Sequence, residues 1–242
     1  MAKLSVNLNK FALIRNSRGT NYPDLIGMAK RTIQAGAHGI SVHPRPDQRH
    51  VRYSDVFELS KLLSKHPGVE FNIEGNPIPK FMEIVKEVKP DQCTLVPDDP
   101  GQLTSDHGWN LKNEGERIIP VINDLKEHGI RVSLFMDTDL EQIDIAGEIG
   151  TDRIEIYTEP YARAFGSALG DKIFNEVNIV ACHANDIGLG VNAGHDLNLD
   201  NLGKLLSISC IQEVSIGHAI VVESFDYGFE ETLRLYLKIV NN

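Results

Sequence analysis

The chain has 242 residues and a formal net charge of -10 at pH 7. That acidic balance argues against nucleic acid as a partner. No apolar run is long enough to span a bilayer, and the N-terminus lacks the basic-then-apolar pattern of a signal peptide. Cys93, Cys182 and Cys210 are far apart in sequence and form no C-x-x-C, which favours a reducing cytoplasm with buried thiols over disulfides or a structural metal. Charge is unevenly spread: residues 1–52 carry nine Lys or Arg against Asp24 and Asp47. A basic opening on an acidic protein implies a local pocket for an anion.

Strand-like and helix-like segments alternate from end to end. Ser5–Asn9 reads as a strand, and Lys10–Asn21 as a polar loop carrying Arg15, Arg18 and Gly19. Pro23 suits the first turn of a helix running to about Gly36. Gly39–His43 is the second strand, and Pro44 and Pro46 take the chain out of the sheet there. A helix capped by Ser54 runs to His66, with Val56, Leu59, Leu62 and Leu63 on one face. Val69–Glu74 is the third strand, and Phe81, Ile84, Val85 and Val88 mark the helix after it. Gln92–Val96 is the fourth strand, followed by a long polar loop, Asp98–Asn110, that holds Thr104. A helix over Glu114–His128 contains Pro120, which predicts a kink or a late start.

The second half repeats the pattern. Arg131–Met136 is a strand, with Asp137 and Asp139 both placed to cap the helix Leu140–Ile149. Arg153–Thr158 is the sixth strand, and Tyr161–Asp186 reads as a long, broken helical excursion. Leu189–Asn192 is the seventh strand, with a helix near Leu199–Leu206, and Glu213–Ile216 the eighth. Phe229–Val240 is an amphipathic closing helix. Strict alternation means parallel strands with right-handed crossovers, and eight units in this length is the pattern of a (β/α)₈ TIM barrel. A doubly wound open sheet is the other candidate, but no Gly-x-Gly-x-x-Gly follows the first strand. No linker or low-complexity stretch divides the chain, so residues 1–242 are expected to form one barrel domain.

In such a barrel the chemistry sits at the C-terminal strand ends. Those exits carry Asn7, Asn9 and Lys10, then His43, Glu74, Thr104 in the loop after the fourth strand, Asp137, Glu155, His195 and His218. So many titratable groups at one rim point to a site. Glu155 stands between Ile154 and Ile156, so alternation turns it into the barrel, where it needs a partner; a structural ion pair is the competing reading. His38, His66, His107 and His128 read as surface groups. Gly194-His195 and Gly217-His218 follow the last two strands, as in barrel phosphate sites where bare backbone N–H groups hold the anion. Arg18 and Arg45 could fork onto a second anion. His43, His50, His195, His218 and Glu74 could also ligate a metal, but no His-x-His follows the first strand and no acidic cluster is evident. A Schiff-base lysine would have to be Lys10, which lies in a loop.

Taken together, several segments resemble pyridoxine 5'-phosphate synthase, the ring-closing enzyme family of vitamin B6 biosynthesis. They are Val6-Asn7-Leu8-Asn9, Arg15 to Thr20, Val42-His43-Pro44-Arg45 with Arg49-His50, Ile73-Glu74, Leu95-Val96-Pro97 with Thr104, Ile154-Glu155-Ile156, Val191 to His195, and Ile216 to Ile220. The resemblance implies a barrel with added helices, a cytoplasmic homo-octamer and no metal or organic cofactor. It implies condensation of 1-deoxy-D-xylulose 5-phosphate with 3-amino-2-oxopropyl phosphate. By motif, His43 and Glu74 would accept protons, His195 would donate one, and Glu155 would stabilise the transition state. Asn7, Arg18, Gly217 and His218 would hold the amino-ketone phosphate, and Arg45, His50 and Thr104 the sugar phosphate. The chain departs from the pattern at Asn9-Lys10, where the family has Asp-His, at Asp196, where it has Gly, and at Pro44 and Pro46. Asn9 and Lys10 remain expected binders, with Asp196 beside the phosphate loop. A metal-free sugar-phosphate isomerase and a non-catalytic phospholigand sensor are the competing functions.

Overall fold

The computed structural model describes residues 1–99 and 101–242. Eight strands, β1 (Lys3–Asn7), β2 (Gly39–Val42), β3 (Glu70–Gly75), β4 (Gln92–Leu95), β5 (Arg131–Met136), β6 (Arg153–Tyr157), β7 (Gly190–Gly194) and β8 (Glu213–Ile216), pair in chain order. Every pairing is parallel, and β8 closes on β1. The helices are α1 (Asn9–Asn16), α2 (Leu25–Ala35), α3 (Tyr53–Leu63), α4 (Pro79–Val88), α5 (Leu111–Glu127), α6 (Leu140–Glu148), α7 (Glu159–Ala164), α8 (Ala168–Asp186), α9 (Leu202–Leu205), α10 (His218–Tyr227) and α11 (Phe229–Val240). This is a (β/α)₈ TIM barrel with extra helices.

Alternation along each strand divides the residues into two sets. Leu4, Val6, Ile40, Val42, Ile73, Leu95, Val132, Leu134, Ile154, Ile156, Val191, Val214 and Ile216 are buried in the apolar core, on the side that faces the helices. The opposite phase is polar. Ser5, Ser41, Asn72, Gln92, Thr94, Ser133, Glu155, Asn192 and Glu213 are all buried within the barrel. Thr94 Oγ1 donates to Asn72 Oδ1 at 3.0 Å, and the Ser41 and Ser215 hydroxyls meet at 2.9 Å. The N-terminal end is closed by charge: Glu70 binds both Lys3 and Arg131, Arg131 Nε donates to Gln92 Oε1 at 2.9 Å, and Arg153 donates to Asn192 Oδ1 at 2.8 Å.

Several local expectations are corrected. The segment read as a polar loop from Lys10 holds α1, which starts because Asn7 Oδ1 accepts the Asn9 N–H at 2.9 Å and which buries Phe11, Ala12 and Arg15. Arg15 therefore does not belong to the free basic charge: its guanidinium forks onto both oxygens of Asp55 at 2.7 and 2.8 Å. Helix α3 begins one residue before Ser54, with the Asp55 carboxylate accepting the Arg52 N–H. Asp139, not Asp137, caps α6, accepting from the Glu141 and Gln142 N–H groups. Pro120 lies inside a continuous α5. The Tyr161–Asp186 excursion is α7 and α8, broken near Gly166, whose φ is +80°. Helix α10 follows Gly217-His218 directly, where the sequence reading placed none. His38 is half-buried and structural, its Nδ1 accepting the Leu4 N–H at 3.1 Å. Of the thiols only Cys93 is buried; Cys182 and Cys210 are partly exposed, and their sulfurs lie 2.9 Å apart.

Arg15 also donates to the His50 carbonyl, and Asn16 Nδ2 donates to the carbonyls of Arg49 and His50. Helix α1 thus pins the β2–α3 loop through a buried ion pair. Arg15→Met leaves the Asp55 carboxylate buried without its counter-charge, a loss of about 3–5 kcal/mol. Urea unfolding monitored by circular dichroism checks this.

Candidate active site

The C-terminal rim is built strand by strand. At the β1 exit, Asn7 Nδ2 points to Glu74 Oε2 at 3.4 Å while its Oδ1 holds the start of α1. A Cβ at Gly217 would come within 2.9 Å of the Asn7 Cβ, so this approach of the β8 exit to β1 requires glycine. At the β2 exit, the His43 N–H donates to Asn9 Oδ1 at 2.9 Å. Asn9 is therefore engaged with the backbone of His43. The His43 and His50 rings meet edge to face with centroids 6.2 Å apart. His50 Nδ1 accepts the Val51 N–H at 2.9 Å, so the neutral ring carries its proton on Nε2.

His195 closes the other side. Its ring packs against Phe135 at 5.1 Å and Tyr157 at 5.3 Å between centroids. Both aromatics fall on the inward phase of β5 and β6, the phase that also carries Ser133 and Glu155. Neither was singled out in the sequence, although the alternation that placed Glu155 also selects them. Glu155 is buried, and one carboxylate oxygen, Oε2, has no hydrogen-bond partner. Among the described residues no cation pairs with Glu155, so the ion-pair reading is set aside.

The electrostatics follow from burial. Burial pushes Glu74 up to about 7, against hydrogen bonds from Ser41 and Asn7 that favour its charged form. Burial, with Glu74 nearby, holds Glu155 well above the usual carboxylate range. Burial and the Arg45 guanidinium hold His43 well below the usual imidazole range. His50 is lowered to about 4 by burial and by Arg45 and Arg49. His195 is lowered to about 4 by burial, opposed by Asp196 and reinforced by Lys10 and Arg45. Near neutral pH the rim therefore sets His43, His50 and His195 toward their neutral forms, Glu155 toward its protonated form, and Glu74 at about 7. Such a set can take up and return protons without a large driving force.

The cationic side is partly self-occupied. Arg45 is buried, bound to Asp98, and donates to the Gln102 carbonyl at 2.6 Å. Arg49 donates to Asp47 and to the same carbonyl at 3.2 Å. These bonds tie the loop after β4 across the β2 exit, beside a cavity of about 270 Å³ lined by His43, Arg45, Asn76 and Asp98. Lys10 is exposed at the rim. A second cavity, of about 340 Å³, is lined by Glu159 and Arg163 of α7, Asp196 after β7, and His218 and Glu223 of α10. Arg18, just past α1, and Thr104 are both exposed; among the described residues no hydrogen bond or ion pair joins either to the rim cluster. No group of three or more His, Cys, Asp or Glu side chains among the described residues is arranged to hold a metal ion.

Residues 4–242 match the family model of the pyridoxal phosphate biosynthesis protein PdxJ. The chain is 47% identical over 237 residues to pyridoxine 5'-phosphate synthase of Porphyromonas gingivalis, covering 98% of each chain. It is 49% identical over 245 residues to the enzyme of that name from Xanthomonas campestris pv. campestris, covering 98% of this chain and 95% of the relative. Among solved structures, phosphoribosyl anthranilate isomerase from Thermotoga maritima superposes with a TM-score of 0.64 at 14% identity, covering 100% of this chain and 99% of that one. Thiamine phosphate pyrophosphorylase from Pyrococcus furiosus does so with 0.62 at 14% identity, covering 99% and 95%. These two likenesses speak to the barrel alone. The match over nearly the whole length, with its two close relatives, places this chain in the PdxJ family.

Proposed function

We propose that this chain condenses 1-deoxy-D-xylulose 5-phosphate with 3-amino-2-oxopropyl phosphate, forming pyridoxine 5'-phosphate and releasing inorganic phosphate and water. The names of its relatives support this reading. The observation that carries it is the gathering of titratable groups at one rim: Glu74 raised to about 7, Glu155 held well above the usual carboxylate range, and His43 and His195 held below the usual imidazole range. Imine formation, enolisation, dehydration and ring closure are successive proton transfers, and each needs an acceptor or donor close to neutrality.

In this reading Glu74 and His43 accept protons and His195 returns one to a leaving oxygen. Glu155, protonated, donates a hydrogen bond to developing negative charge. Asn7, Gly217, His218 and Arg18 hold the amino-ketone phosphate, with Asp196 at the edge of that loop. Arg45, His50 and Thr104 hold the sugar phosphate, and Lys10 adds a cation between the two. Asn9 serves this set indirectly, through the His43 backbone. Two phosphate dianions would raise the imidazoles back toward neutrality once bound, so that His195 becomes a competent donor only with substrate in place. No organic cofactor or metal is called for. The assembly proposed is a cytoplasmic homo-octamer; exposed apolar side chains on α1 and α10, Leu13, Ile14, Val222 and Phe225, are consistent with contacts between copies.

Phosphate release from the two substrates supplied together tests the function; an isomerase would ignore the amine, and a sensor would release none. Glu74→Gln and His195→Asn should each lower kcat by about 10²–10⁴ with the fold intact. Because Glu74 must be ionised to act as a base, kcat/KM of the native chain should rise with pH through about 7. A profile flat from pH 6 to 8 would remove Glu74 from that role.

The same shift makes a stability statement. A carboxyl raised from 4.5 to about 7 on folding binds its proton more tightly in the native state, so its cost is absent below 4.5 and full above about 7. Glu74→Gln should therefore stabilise the protein more at pH 8 than at pH 5, by up to about 3 kcal/mol. Thermal melts of both chains at the two pH values measure the difference.

A further inference from the structure

We infer that Thr158 is a positioning residue for His195, fixing the backbone conformation that turns the imidazole over the barrel mouth. This rests on the proposed role of His195 as proton donor.

His195 and Asp196 have φ of +84° and +58°, two successive residues other than glycine in the left-handed region. That region is costly for a residue with a Cβ, and it persists only where the surroundings hold it. Thr158 supplies the hold. It is the first residue after β6, its side chain is fully buried, and its N–H donates to the Gly194 carbonyl at 2.9 Å. Its hydroxyl lies 2.6 Å from the Gly194 carbonyl oxygen and 2.6 Å from that of His195. One hydroxyl proton is shared between the two carbonyls, so both peptide planes flanking the His195 Cα are tied to one point on the β6 exit.

A second brace stops the chain from unwinding on the far side. Asn201 Nδ2 donates to the Asp196 carbonyl at 3.1 Å, and the buried Tyr161 hydroxyl donates to the Asn201 carbonyl at 2.8 Å. Thr158 and Tyr161 lie three residues apart, flanking the start of α7, so one turn of chain holds both ends of the turned segment. With φ of His195 returned to the ordinary negative region, its side chain would leave the wall of Phe135 and Tyr157 that now confines it. Without the Thr158 hydroxyl, the Gly194 carbonyl keeps the Thr158 N–H, but the part-buried His195 carbonyl loses its donor and with it the tie that selects the left-handed state.

The test is a cycle built on Thr158→Val, which keeps the branched shape and removes the hydroxyl. Thr158→Val should lower kcat by about tenfold or more while KM stays within about twofold, and Thr158→Ser, which keeps the hydroxyl, should stay within about threefold of the native chain. The double variant of Thr158→Val with His195→Asn should be no slower than His195→Asn alone, since the two residues act as one unit. If Thr158→Val leaves kcat intact while His195→Asn abolishes turnover, or if the two losses multiply, Thr158 is structural only and the inference falls. If His195→Asn itself turns over normally, the donor role fails first and the inference with it. Should the valine chain not fold, Thr158→Ser decides alone: a loss of tenfold or more with the hydroxyl retained overturns the assignment, and native turnover with unchanged amide exchange over residues 193–197 upholds it.

Discussion

A carboxylate sealed inside a protein must find a counter-charge or give up its own. Glu155 finds none. It stands on the inward phase of β6, flanked by isoleucines that face the helices, with one oxygen unpartnered. Around it the barrel interior is lined with Ser, Thr, Asn and Gln in place of the branched apolar layers usual in this architecture. That polar filling surrounds the carboxyl with uncharged groups and offers it no cation. Glu74, one strand exit away from His43, is less deeply placed and receives bonds from Ser41 and Asn7, so it stops near its midpoint. Depth and hydrogen bonding thus set the two acids differently, which is what the proposed pairing of a base with a protonated donor requires.

The imidazoles obey the same constraint with opposite sign. Burial disfavours their charged form, and Arg45, Arg49 and Lys10 push further in that direction. Yet the guanidiniums are themselves engaged, Arg45 with Asp98 and Arg49 with Asp47 and the Gln102 carbonyl. The rim therefore keeps its cations in place without leaving them bare. The β2–α3 loop that carries His50 and Arg49 is fixed from beneath by Arg15, Asn16 and Asp55. A loop so anchored can hold an electrostatic arrangement that a mobile one would lose to solvent.

The strand exits were readable because a period of two, closed by Pro or Gly, leaves few alternatives for where a parallel strand ends and which residues turn inward. Glu155 is the clearest case: its inward direction followed from Ile154 and Ile156. Helix α1 was not readable, because its start depends on a side chain, Asn7, capping from the preceding strand, and its buried face includes an arginine that looks like surface charge until Asp55 is known to lie opposite. The ion pair of Arg45 with Asp98, and the approach of the free Cys182 and Cys210 thiols, join segments that only the tertiary fold brings together. Asn9 reads as a binder because it sits at a strand exit; that its Oδ1 also accepts the His43 N–H is something no spacing rule reveals.

The departures from the family pattern acquire physical sense on this frame. At position 9 the Asn9 carboxamide oxygen accepts the His43 N–H, a bond made without adding a charge to the rim. Lys10 beside it lowers His195 and His50. Asp196 occupies a residue with φ of +58°, where glycine is the default and Asp among the better tolerated replacements. Its carboxylate raises His195 and so opposes Lys10. The two unusual residues act on one imidazole with opposite sign, the lysine from the β1 exit and the aspartate from the β7 exit. Asp196 alone would move His195 toward the usual imidazole range, and Lys10 alone would hold it further below. With both charges present, burial still sets the outcome and holds the His195 imidazole down at about 4.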